Sequence, residues 1–403
     1  MRQPDETTDV LVVGGGNAGI STAARLLRDG ARDVMVLTPG DVHLYRPLLS
    51  YVGSGEASMR DLERGMAEVL PPGCRRVDDA AVGVEVEGCL TVLTRDGRRI
   101  ACSTLVLCPG LEEAWDLTPG LAGAYDAGWA VSTFVATTAP RVWEAVRSLR
   151  SGSAVFTVPP EPAPCAATAL KPLLMACDHW RREGVLERIR VHLVLPGRGV
   201  TGQPEPDRRL EEVLAAAGVE VLREARVVAV DHLDRSVTVA TPAGEQALDG
   251  VDLAHLVPHY RAPAWIRASG LADDGAAGLL DVDPETLRHR RHPRIWGLGD
   301  AAALHTRPSG GALRKQVAVL AHNLAHADST DEGGTEPQRY DGYTVMPITT
   351  DRRRLMLVEV DRAGRPVPSV PFPDMTVPRR LTWLVDRYAL PVTYFRRILK
   401  GKV

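Results

Sequence analysis

The chain has 403 residues, 44% hydrophobic and 25% charged, enough for two or three domains with cores of their own. Its formal net charge of -3 gives no basic field, which sets nucleic acid aside as a partner. No apolar run reaches the roughly 18 residues of a spanning helix, and Met1 to Glu6 is polar and acidic rather than a secretory leader, so a cytoplasmic protein is expected.

In chain order, the first informative stretch is Thr8 to Gly19, TDVLVVGGGNAG. Val10 to Val13 is an unbroken apolar run, and Ile20 to Arg28 has helical spacing, which predicts a buried parallel strand, a tight turn and a helix. The turn carries G-x-G-x-x-G. Gly14 permits the turn, Gly16 lets the backbone approach a pyrophosphate, and Gly19 lets helix and strand pack closely; Asn17 and Ala18 open the helix whose free N–H groups and dipole hold the anion. Asp33 to Leu37 predicts the second parallel strand, at whose end a dinucleotide fold places an acid for the ribose hydroxyls. Here Thr38 stands in that place, with Asp41 as a substitute and no arginine in position for a 2′-phosphate. Arg46 is a further candidate cofactor contact.

From Ala80 to Leu107 short β-type runs alternate with turns, and the last run ends in Pro109-Gly110. Two-dinucleotide flavoproteins place such an antiparallel insertion between the halves of their FAD domain, so Val82 and Gly110 join the candidate FAD contacts. The six cysteines lack metal-ligand spacing, and no metal site is expected. Cys102 and Cys108 lie in apolar runs and read as core; Cys74 and Cys89 stand in apparent loops without a role.

A second α/β unit begins near Thr137: a helix to Arg150, a strand Ala154–Val158, a helix Leu170–Glu183, a strand Arg190–Leu195, a helix Asp207–Ala217 and a strand Val219–Leu222. Where a pyridine nucleotide needs a glycine turn after the first of these strands, the chain has Pro159-Pro160-Glu161-Pro162-Ala163-Pro164-Cys165. Prolines supply no N–H to a phosphate and cannot take glycine's positive φ, so NAD(P)H is not expected there, and a cysteine occupies the turn.

Further on, Ile295–Leu298 predicts a short buried strand ended by Gly299-Asp300, and Ser309–Ala327 a helix that includes Gly310 and Gly311. In flavoproteins of this class the aspartate binds the ribityl chain, and the helix N-terminus faces the flavin O2, stabilising charge on the reduced ring. Ser329–Glu336 reads as a polar linker. The C-terminal stretch from Tyr340 has a β-type run, Leu355–Val360, and a terminal helical segment that interleaves Trp383, Tyr388, Tyr394 and Phe395 with Arg379, Arg380, Arg387, Arg396 and Arg397. Two readings stand open for it: an interfacial helix lying on the inner face of an anionic membrane, or an amphipathic helix with a solvated basic face. The expected architecture is α/β, with two Rossmann-like dinucleotide-binding domains plus a small C-terminal module. Residues 1–115 and 276–335 form the FAD domain, 116–275 the second domain with a degenerate NAD(P) site, and 336–403 the module.

The order of GGGNAGI, HLYRPLL (His43 to Leu49), the proline-flanked Cys165, DVDPETLRHRRHPRIWGLGD and YDGYT (Tyr340 to Thr344) resembles the sulfide:quinone oxidoreductases, especially the branch with the mitochondrial enzyme. The resemblance implies FAD, a glutathione-reductase-like fold, a pair of cysteines on the flavin's substrate side and a quinone as electron acceptor. Cys165 matches one of the pair. The family's YDGYTSCP becomes YDGYTVMP here, so Met346 stands in place of the second thiol, Thr38 in place of a glutamate and Pro308 in place of a common lysine. One cysteine cannot cycle between dithiol and disulfide by itself. Cys177, in or near the following helix, is the other conceivable partner. The leading expectation is an FAD oxidoreductase acting on sulfide, a thiol or another small substrate, with Cys165 as the redox thiol and its pKa lowered by a helix N-terminus and Lys171. The alternatives are a diverged flavoenzyme that oxidises a small organic substrate with oxygen or a quinone and does not need Cys165, and a non-catalytic flavin-binding scaffold.

Overall fold

The computed structural model describes residues 3–327 and 336–402; of the polar linker, all but Glu336 lies outside them. The apolar run of the first motif forms β1 (Glu6–Val13), followed by α1 (Asn17–Arg28) and β2 (Val34–Leu37). Val10 to Val13 and all of β2 are buried, as parallel strands covered on both faces must be. β3 (Arg75–Val77) adds to β2, and an antiparallel excursion of β4 (Ala81–Glu85) and β5 (Thr91–Thr94) returns through β6 (Arg99–Leu107). The strand order is β3-β2-β1-β6-β5-β4, with Val13 level with both Leu37 and Leu107. The strand Ile295–Gly297 pairs in parallel with Leu105–Leu107, so two sequence-distant stretches share one sheet and one core.

The second sheet is parallel throughout. β7 (Ala130–Val131), β8 (Gly152–Thr157), β9 (Ile189–Leu195), β10 (Glu220–Arg223) and β11 (Leu253–His255) lie in the order β7-β11-β8-β9-β10. Helix α2 (Leu170–Arg182) links β8 to β9, and α3 (Pro204–Ala216) links β9 to β10. The order reverses beside β8, the position at which open α/β sheets form a ligand crevice.

α4 (Leu313–Ala325) returns to the first domain. It begins at Leu313 rather than Ser309, because Gly310 and Gly311 remain in the preceding turn, where the Ser309 hydroxyl accepts the Ala312 N–H at 3.3 Å. The hairpin of β12 (Thr344–Asp351) and β13 (Arg354–Val360) gives Met346, Ile348, Met356, Val358 and Val360 to the second core. Tyr340, Tyr343, Leu355, Trp383, Tyr394 and Leu399, from the same C-terminal stretch, pack in the first. These residues therefore clamp the two α/β units together.

The terminal segment is not one uninterrupted helix. α5 (Arg380–Leu384) runs into a π-helical turn, Val385–Ala389, and then α6 (Leu390–Arg396). The wide turn directs Asp386 and Arg387 inward, and both are buried, whereas both readings of the segment place Arg387 at the surface, toward headgroups or solvent. Trp383 and Tyr394 are buried as well. The outward side carries Leu381, Leu384, Val385, Tyr388 and Val392 at helical spacing, all exposed. Among the described residues no helix is long and apolar enough to cross a membrane.

Candidate functional site

The glycines of the first turn have different physical jobs. Gly14 has φ +116°, and a Cβ there would lie 2.2 Å from the Cys108 carbonyl oxygen; one on Gly19 would lie 1.8 Å from the Gly14 oxygen. Helix, turn and β6 thus close on each other with no space for a side chain. At Gly16, by contrast, a Cβ would meet nothing within 4 Å, although the residue caps α1. That open, donor-lined space at a helix N-terminus suits a pyrophosphate.

The distant stretch converges on this turn. The Asn17 amide donates to the Gly310 carbonyl at 3.5 Å, and a Cβ on Gly299 would lie 3.3 Å from the Ala18 methyl. The Gly299 N–H donates to the Gln316 side chain at 3.0 Å, which presents Asp300 at the strand end. Among the described residues no group hydrogen-bonds the Asp300 carboxylate. Burial raises its pKa, and the Arg46 guanidinium opposes the shift. A carboxylate short of donors beside the pyrophosphate space fits the hydroxyls of a ribityl chain. Arg46 is itself held by the Phe134 carbonyl at 2.7 Å. Gly110 follows the tight Gly14–Cys108 approach with φ +75°. Gly311 packs on Val345, where a Cβ would come within 2.4 Å of the side chain.

Thr38 is buried against Gly15, whose Cβ would lie 2.5 Å from its hydroxyl. Asp41 is turned to solvent and pairs with Arg76 at 3.0 Å, while Asp78 takes the Gly40 N–H at 2.9 Å. Arg76, from β3, is therefore the arginine at the end of the second strand that β2 itself does not supply. Val82 lies apart, on the outermost antiparallel strand and 48% exposed; that strand is tied to Ser269, through the Val84 N–H at 2.8 Å, rather than to the glycine turn.

Cys165 is brought to the same cleft. Its N–H donates to the Pro308 carbonyl at 3.1 Å, and its thiol donates weakly to the Val345 carbonyl at 3.8 Å. The expected lowering of its pKa is overturned. Burial pushes the thiol up to about 12; Lys171 opposes this, and the Asp300 carboxylate adds to it. The residues after Cys165 form a 3-10 turn, Ala166–Ala169, so α2 and its dipole begin at the expected Leu170, five residues beyond the thiol. Lys171 is also spent elsewhere: its ammonium lies 2.7 Å from Asp386, with 1% and 6% of the two side chains exposed. Alkylation of Cys165 by iodoacetamide is therefore expected to rise about tenfold per pH unit between pH 7 and 10 with no plateau. A plateau near neutrality would show an activated thiolate.

Met346 is buried in the second core at 1% exposure, and the Arg307 guanidinium donates to its sulfur at 3.2 Å and to the Val200 carbonyl at 2.7 Å. Cys177 is equally buried in that core, its thiol pushed to about 12, and both it and Cys165 are free, so no cysteine pair forms. Cys102 and Cys108 are buried in the first core, Cys74 is half-buried and Cys89 is exposed.

Other groups at the site were not evident from local patterns. The Tyr51 hydroxyl donates to Asp386 at 2.7 Å, and Lys171 lies 4.9 Å from the centre of the Tyr51 ring. His43 is buried and kept neutral by burial; its Nδ1 donates to the Gly15 carbonyl at 2.9 Å, and its Nε2 accepts the Tyr394 hydroxyl at 2.6 Å. The only available clue to Asp386 was its charge within an apolar helical stripe.

Residues 8–142 match the pyridine nucleotide-disulphide oxidoreductase family. The chain is 28% identical to the mitochondrial sulfide:quinone oxidoreductase of Dictyostelium discoideum, over 100% of its own length and 88% of that protein. It is 26% identical to the Mus musculus protein of the same name, over 98% and 86%. The structure of the sulfide:quinone oxidoreductase from the hyperthermophilic bacterium Aquifex aeolicus superposes with a TM-score of 0.82 at 16% identity, over 98% of this chain and 92% of that one. NDH2 of Plasmodium falciparum, solved with NADH, gives 0.69 at 11% identity, over 97% and 99%.

Proposed function

The chain is a flavin-dependent oxidoreductase related to the sulfide:quinone oxidoreductases, and from that premise we propose that it binds FAD and oxidises a small sulfur compound, sulfide or a thiol, with Cys165 as the reacting thiol. Gly14 to Gly19 would hold the pyrophosphate and Asp300 the ribityl chain. FAD, when bound, supplies an acceptor for one electron pair, which a quinone then removes. The observation that carries the reading is the Cys165–Pro308 hydrogen bond, which puts a thiol against the loop between Asp300 and Ser309.

A single cysteine suffices if the substrate brings the second sulfur. Cys165 and a substrate thiol lose two protons and one electron pair as their S–S bond forms. A second substrate thiol then attacks that bond, releases Cys165 with its proton restored, and leaves with the first sulfur. Met346 removes the internal partner, so the displacing thiol must come from solution. Lys171, if it is released from Asp386, is the cation available to the Cys165 thiolate.

Anaerobic addition of sulfide to the FAD-loaded protein is expected to bleach the flavin in the wild type and not in Cys165→Ser. Equal bleaching in both would remove Cys165 from the chemistry. The raised thiol pKa and the buried Met346 favour one second reading, a flavoenzyme that oxidises an organic substrate without Cys165. It predicts that Cys165→Ser retains turnover.

For access to a membrane quinone, the face of Leu381, Leu384, Val385, Tyr388 and Val392 would rest on lipid, with the exposed Arg380, Arg396, Arg397 and Lys402 nearby for anionic headgroups. Flotation with anionic vesicles is expected for the wild type and is expected to be lost in Leu384→Asp/Tyr388→Asp. Flotation of both proteins alike would sink this placement.

A further inference from the structure

We propose that the second domain keeps a ligand site at the mouth of its parallel sheet, and that this site takes a small organic anion, a carboxylate or sulfonate on a short apolar body, instead of a nucleotide. A cavity opens outside the carboxyl ends of β8, β9 and β11, walled by Val158, Pro159, Pro160 and Val257. The strand order reverses beside β8, and open α/β sheets take their ligands in that crevice. Pro159 and Pro160 offer no N–H groups to a diphosphate, so the usual occupant loses its main anchor.

Two other residues build a different site. Arg226 and His259 both line the cavity, and among the described residues neither side chain has a hydrogen bond or ion pair. Arg261, two residues on from His259, holds Asp116 at 2.9 Å and Glu112 at 3.6 Å. Burial lowers the pKa of His259, and the Arg226 charge lowers it further, so the cavity holds one fixed cation beside a neutral imidazole, and among the described residues neither is paired with an acid. An anion between them takes charge-assisted hydrogen bonds from the guanidinium, and the neutral imidazole offers one N–H beside it. The apolar walls suit a few carbon atoms, not a second charged or sugar-like end.

The test is fluorine NMR of the FAD-loaded protein with trifluoroacetate as the probe and trifluoroethanol as its neutral counterpart. Saturable broadening is expected for trifluoroacetate and not for trifluoroethanol. Arg226→Gln, a change at an exposed side chain, is expected to weaken binding by at least about tenfold. His259→Gln should weaken it too, and Arg223→Gln, which removes a charge elsewhere in the domain, should leave it unchanged. No saturable broadening in the wild type overturns the proposal, as does broadening that persists in both cavity variants. Displacement of trifluoroacetate by NADH with bleaching of the flavin also overturns it, because the crevice would then be a nucleotide site.

Discussion

Gly16→Val is expected to yield a folded protein that purifies without flavin. The substituted Cβ has no protein atom within 4 Å, and the residue is an N-cap with ordinary φ, so the apoprotein is expected to lose no more than about 1 kcal/mol. The added methyl groups project into the space read here as the pyrophosphate seat, and flavin occupancy should fall close to zero. Gly19→Val is the contrasting case. Its Cβ would sit 1.8 Å from the Gly14 oxygen, and since a backbone atom cannot swing aside, that variant is expected to fail to accumulate as folded protein. Flavin absorbance per protein and thermal unfolding of the two variants decide the matter. A Gly16→Val protein with full flavin content would show that the dinucleotide does not approach this turn.

The second large effect is expected at Asp386. Lys171 on α2 and Asp386 in the π-helical turn form an almost fully buried pair that Tyr51 completes with its hydroxyl. Asp386→Ala leaves an ammonium in the interior with no carboxylate, a change that costs about 3–5 kcal/mol. Replacing both partners, as in Lys171→Met/Asp386→Leu, removes the charge and its counter-charge together and should recover most of that loss. Denaturant midpoints of the single and double variants measure the difference. If Asp386→Ala unfolds at the wild-type midpoint, the pair does not hold the C-terminal segment to the second domain.

Much of the scaffold is legible in the sequence because its signals are local. An all-apolar run before G-x-G-x-x-G reads as a buried parallel strand; β1, α1 and β2 end where expected, at Val13, Arg28 and Leu37, while β1 starts four residues before the apolar run and α1 three residues before the stretch with helical spacing. The prolines after β8 likewise mark a turn unlike a phosphate loop. What the sequence does not disclose depends on distant packing. Lys171 and Asp386 are 215 positions apart, and Asn17 and Gly310 are 293 apart, so no periodicity brings either pair together. The thiol pKa was misjudged for a related reason. Proximity in sequence to a helix and a lysine favours a thiolate, but a 3-10 turn separates Cys165 from the helix, which starts at Leu170 as expected, Asp386 engages the lysine, and burial outweighs both. The terminal segment is helical as expected, from Arg380 to Arg396, but residue propensities do not encode its one widened turn.

That widened turn gives the final segment two working sides. Within five residues it sends a carboxylate to the helix that carries the thiol loop and leaves Val385 and Tyr388 facing outward. The outward face and the helix that follows the thiol loop are thereby joined through one buried ion pair, Lys171–Asp386.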